Sequence, residues 1–182
     1  MSRSKLIGLW VIAITTVAGP AAHAADDDPC ARFTWDVSHE RAVMKQSPQA
    51  VTAGIKPGAE LPQIEAEKLY DLKLAPQSGV TFAVKPAKPA LDDGSQAGLA
   101  RFRVAKAGHY RVSITSGHWI DVVDGNEFVT SRDFQGARGC ERPHKIVEYE
   151  LPAGRDLTLQ FSGSTDAQVI LSITAVTTAP AA

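Results

Sequence analysis

His118, Trp119, Asp121 and Asp124 fall within seven residues of one stretch, SGHWIDVVDGNEFVT at 116–130. Imidazole is a base or a metal ligand near physiological pH. Carboxylates act as general acids and bases, or as ligands for metals and sugar hydroxyls. An indole offers an apolar face on which a sugar ring can stack, and an N–H that seeks an acceptor. The residue types therefore point to metal, acid–base or sugar chemistry. Whether they can act together depends on the strands that carry them.

Ser116 and Gly117 read as a two-residue turn, and Asp124 and Gly125, or Gly125 and Asn126, as the next. In such a three-strand meander, opposed residues share a face. One face then carries Tyr110, Val112, Ile114, Trp119, Asp121, Val123, Phe128 and Thr130. The other carries His109, Arg111, Ser113, Thr115, His118, Ile120, Val122, Glu127, Val129 and Ser131. The first is the expected core face. A one-residue change in loop length would flip a strand.

On this geometry His118 and Asp121 point to opposite sides and cannot ligate one metal. Asp121 lands in an apolar face, where a carboxylate must be paired, hydrogen-bonded or protonated. Two readings of it stand. One is an acid, base or ligand with a raised pKa. The other, favoured, is a buried acid bonded to backbone amides or to an arginine such as Arg132 or Arg138. The remaining histidines outside the N-terminal leader, His39, His109 and His144, show no H-x-H or H-E-x-x-H spacing. With His118 they are expected on the surface. Trp35 and Trp119 could form a sugar platform, against core packing as the plainer alternative. No G-x-S-x-G nucleophile signature and no phosphate-binding glycine loop occurs. The binding candidates are thus Asp121, Trp119, His118, His109 and Trp35. No catalytic set, metal or cofactor is assigned.

The surrounding chain reads as β. Residues 1–24 have Arg3 and Lys5, then an apolar run, then Ala22 and Ala24. That is the pattern of a secretory signal peptide cleaved after Ala24, too short for a stable span. Its removal takes 2 of the 19 basic residues and none of the 20 acidic ones, leaving 17 against 20 and a net charge of −3. No basic stripe is seen, which argues against nucleic acid as a partner. An exported chain with two cysteines, Cys30 and Cys140, is expected to join them. Closing a loop of about 110 residues would stabilise the fold by about 4–5 kcal/mol in the chain-entropy account. Residues 25–66 read as an N-terminal extension. A possible strand covers 32–37, a short helix covers 38–45 from Ser38 as N-cap, and an irregular segment covers 46–66. Period-two runs follow at 68–74, 80–85, 99–104, 109–115, 118–123, 127–131, 145–151, 156–162 and 168–176. Turn residues separate most of them. About nine strands at this spacing predict an antiparallel β-sandwich, jelly-roll-like, over 67–176. The tail, 177–182, is expected to be disordered.

The segments AGHYRVSIT, WIDVVDG, KIVEYELPAGRDLTLQFSGS and VILSIT resemble the pre-peptidase C-terminal type of domain, over about residues 99–175. That resemblance implies a β-sandwich acting as an ancillary binding or stabilising module. The chain is also similar to small exported proteobacterial proteins, some carrying a homogentisate 1,2-dioxygenase name. That enzyme family holds iron on a cupin site of two histidines and a glutamate, and the H-x-H with its following Glu is missing here.

The expected protein is a periplasmic or secreted, non-enzymatic binding or accessory sandwich, stapled by Cys30–Cys140. Its expected ligand is a carbohydrate or an envelope protein partner. The rivals are a small metal-dependent cupin-like enzyme using some of His109, His118 and His144, and a structural envelope protein acting by contact.

Overall fold

A computed structural model describes residues 28–88 and 94–176. The signal-peptide and tail segments, 1–24 and 177–182, lie outside the described residues. Among the described residues twelve strands form: β1 Gln49–Thr52, β2 Gln63–Glu65, β3 Leu69–Lys73, β4 Ala75–Pro76, β5 Gln96–Arg103, β6 Gly108–Ile114, β7 Trp119–Asp124, β8 Glu127–Val129, β9 Ser131–Gly136, β10 Lys145–Leu151, β11 Leu157–Ser164 and β12 Gln168–Ala175. One sheet runs β1-β3-β12-β6-β10-β9. The other runs β2-β5-β11-β7-β8, with β4 also on β5. The two pack face to face as an all-β sandwich.

The core follows from alternation. In the first sheet, Val112 pairs across with Val147 and Ile173, and Tyr110 with Tyr149 and Ala175. In the second, Leu159 pairs with Ala100 and Val122, and Phe161 with Ile120. These rows face each other in one cluster that also holds Phe102, Leu157, Leu171 and Leu72. Each large apolar side chain fully buried this way contributes roughly 1.5–3 kcal/mol. Gly98 is needed for close packing, because a Cβ there would sit 2.4 Å from the Ala53 Cβ and 2.9 Å from Leu74.

The predicted antiparallel sheets are in fact mixed. β1 pairs parallel to β3, and β2 parallel to β5. Both extra strands come from the stretch expected to be irregular, and each adds a strand to a different sheet. Their alternation is too short to show above the Pro and Gly around it. The helix expected over 38–45 forms as α1, Ser38–Val43, capped by Val37 without a side-chain bond. Residues 32–37 form no strand. A 3-10 turn, Pro29–Arg32, leads to α1 instead.

A six-residue helix has no stability of its own. Its place is set by what it packs on. Cys30 is bonded to Cys140. Phe33 and Val37 pack with Ala137, Cys140 and Ile146, and partly buried Trp35 completes that cluster. Glu40, 1% exposed, meets the guanidinium of Arg111 at 3.1 Å. Arg111 also holds Glu148 at 3.0 Å and stacks on the Trp35 ring, 4.4 Å from its centroid. The segment thus covers the outer face of β6 and β10.

Two expectations fail in the strand pattern. β6 and β7 are not a hairpin. They lie in different sheets, and the connection 115–118 carries the chain across the sandwich. A hairpin keeps opposed residues on one face of one sheet. A crossing to the facing sheet resets which parity points inward. In β6 Tyr110, Val112 and Ile114 are core as expected, whereas in β7 the core residues are Ile120 and Val122. The 80–85 strand is also absent. There the Ala83 and Val84 amides donate to Oε1 of Gln160, and Gln160 Nε2 donates to the Val84 carbonyl at 2.9 Å. One buried glutamine replaces the strand neighbour that segment would need.

Candidate functional site

The hairpin that does form is β7–β8. Asp124 pairs with Glu127 around Gly125 and Asn126, and Gly125 has φ of 63°, which glycine adopts without strain. Because β8 is short, pairing with β7 stops at Val122. The β7 edge before that point is left open. Side chains of the facing sheet close it. Lys145 Nζ donates to the His118 carbonyl, and Tyr149 Oη donates to the Ile120 carbonyl at 3.0 Å. Both residues belong to the inward row of β10, in register with Ile114 and Tyr110.

A pocket of about 350 Å³ opens at this junction, lined by Lys88, Trp119, Phe134 and Lys145, with Gly117, Ile120, Ser131 and Val147 completing it. Phe134 pairs with Val147 across β9–β10, so it points to the inner side of its sheet. The opposite sheet ends short of it, and Phe134 stays 69% exposed. Trp119 is 37% exposed. The predicted core position of Trp119 is therefore corrected: it lies on the outer, rim-facing side of β7.

Asp121 shares that outer side, 8% exposed. It is buried not by the core but by the 83–88 segment crossing over it. Trp119 Nε1 donates to Asp121 Oδ1 at 2.8 Å. The Gln160 side chain and the Ala87 backbone amide are bonded to the same carboxylate. The partners are thus not Arg132 or Arg138. Arg132 pairs with Glu150 instead. Burial raises the Asp121 pKa, and the bonds from Trp119, Gln160 and Ala87 oppose that rise. Asp121 fixes the indole plane and, through Ala87, the start of the segment that sets Lys88 over the Trp119 ring, 5.8 Å from its centroid. Lys145 is held below the usual lysine range, at about 8, by burial and then by the charge of Lys88.

His118 faces the core, not a polar surface. It is fully buried, edge-on to Phe161. Ser116 Oγ and His118 Nδ1 share a 2.7 Å hydrogen bond. Burial lowers its pKa to about 4, against a raising effect of Asp166 and a further lowering by Lys145. A base that weak suits a buried core ring better than an activator of Ser116. His109 stands on the other side of the first sheet, 3.4 Å from Glu148. Trp35 is taken up by Arg111. The five sequence candidates are therefore split among three places, and only Trp119 and Asp121 act together. Among the described residues no group of three or more His, Cys, Asp or Glu side chains is placed to hold a metal ion.

Lys88, Phe134 and Lys145 were missed from the sequence. Lys145 had a visible signal, since it heads the alternating row 145, 147, 149, 151 at a position that should be apolar. Phe134 is a lone aromatic in the polar run SRDFQG. A larger concavity of about 590 Å³ follows the 52–61 loop, but it has no aromatic wall and its lining carries both Lys56 and Glu60.

The molecule is of the β-sandwich class, with a rim pocket between its sheets. No family model matches the chain, and no curated protein is similar to it in sequence.

Proposed function

We propose that this protein is an exported, non-enzymatic binding module that takes a carbohydrate ring in the rim pocket. The observation that carries the reading is the pair of exposed aromatics, Trp119 and Phe134, flanking one concavity, with the indole locked by Asp121. Large aromatics left exposed in a rigid setting lose little entropy on binding, and a sugar presents an apolar C–H face to them. The pocket is of small-ligand size. The His118 and Ser116 pair is spent on its own burial and gives the pocket no strong base. Export is supported by the leader-like N-terminus and is compatible with the Cys30–Cys140 disulfide.

The test is a glycan array followed by calorimetric titration. Binding is expected, and Trp119→Ala and Phe134→Ala should each weaken it by about tenfold or more while far-UV circular dichroism stays unchanged. Wild-type affinity in both variants would overturn the assignment of this pocket.

A further inference from the structure

Resting on the reading of the pocket as a carbohydrate site, we infer that its ligand is an anionic sugar residue, with the acid group held between Lys88 and Lys145 and the ring on Trp119. The lining carries two ammonium groups and no carboxylate. Among the described residues neither lysine forms an ion pair with an acid. The Lys145 ammonium has three hydrogens, one of which goes to the His118 carbonyl, so two remain for a ligand. Lys88 is carried on an exposed stretch but is held near the indole. Two cations brought to one partly desolvated pocket repel each other, and an anion between them removes that cost and gains charge-assisted hydrogen bonds. A neutral sugar would leave both charges unanswered. An isolated anion such as phosphate would leave Trp119 and Phe134 without a partner. A ring that bears one acid group uses all four side chains. Carboxylate and sulfate share this chemistry, so the source is a uronate or a sulfated sugar.

The experiment is calorimetric titration of the full chain, disulfide intact, with three oligosaccharides of equal length: a polyuronate, a sulfated glycan and a neutral glycan. At least one anionic glycan should bind roughly tenfold or more tighter than the neutral one, with an affinity that falls as salt rises. Lys88→Gln should erase most of that preference, bringing the affinity for the anionic glycan to within about threefold of that for the neutral one. Lys88 is exposed, so this variant keeps the fold. Lys145→Gln should do the same, with circular dichroism as its folding control because it loses a bond to His118. Equal binding of all three glycans would overturn this inference and leave the carbohydrate reading standing. Absence of binding to any of the three would overturn both. A preference for the anionic glycan that survives in Lys88→Gln and Lys145→Gln would also sink the inference.

Discussion

Acidification should destabilise this protein through His118, and the size of the effect can be worked from its burial. The ring is 0% exposed and its pKa is lowered to about 4 from 6.5. Between those two values the unfolded chain holds a proton that the folded chain refuses. Stability therefore rises with pH across that window and is lost as pH falls from 6.5 towards 4. The full shift corresponds to about 3 kcal/mol, and roughly 2–3 kcal/mol should be lost between pH 7.5 and 4.5. Asp121 works against it. Its folded pKa is raised, so the folded state holds the extra proton above the ordinary carboxylate range, and acidification through that range favours folding. A single profile would blend the two, so the test is a comparison. His118→Asn keeps an oxygen near the Nδ1 position for Ser116 but cannot take up a proton. Urea unfolding, followed by circular dichroism at pH 7.5 and 4.5, should show the variant less stable at pH 7.5 and less sensitive to acid, by roughly 2 kcal/mol between the two values. If both proteins lose the same stability over that interval, the ring is not held neutral by burial and the reasoning fails.

Asp121→Ala should free the indole and the 83–88 segment together. Expected are a red-shifted Trp emission, loss of glycan binding and a stability loss of about 1–3 kcal/mol by urea unfolding. Gly98→Ala forces a methyl onto Ala53 and should lower stability by about 1–3 kcal/mol in thermal melts, while Gly79→Ala, with nothing near its added Cβ, should change little. Arg111→Met leaves Glu40 and Glu148 without their shared cation and should cost about 3–5 kcal/mol in urea. Limited proteolysis should then cut first within 28–45, the segment that Arg111 anchors.

Nearly all the strands from β3 onward were readable, because period-two alternation is a local signal that survives in any half-buried sheet. β9 was missed since its face is polar apart from Phe134, and β1, β2 and β4 because two to four residues carry no period. The candidate site was half readable. The residue types single out Trp119 and Asp121, but a hairpin turn at 115–118 would put them on the inner side of β7, the opposite of where the crossing places them. The same hairpin would put His118 at the surface, whereas the crossing buries it. Nothing in the local sequence distinguishes a turn that folds back from one that crosses to the opposite sheet.

By itself the sequence determined the all-β class and the Cys30–Cys140 pairing, since alternation and a count of two cysteines depend on no distant contact. Only the tertiary structure decided what covers what. It laid 83–88 across Asp121, ended the second sheet short of Phe134, and aimed Lys145 at an open strand edge. Those outcomes depend on where two sheets stop relative to each other, which is set by the packing of residues far apart in the chain. Asp121, which looked like a misplaced core residue, thus became the group that holds the indole of Trp119 at the rim.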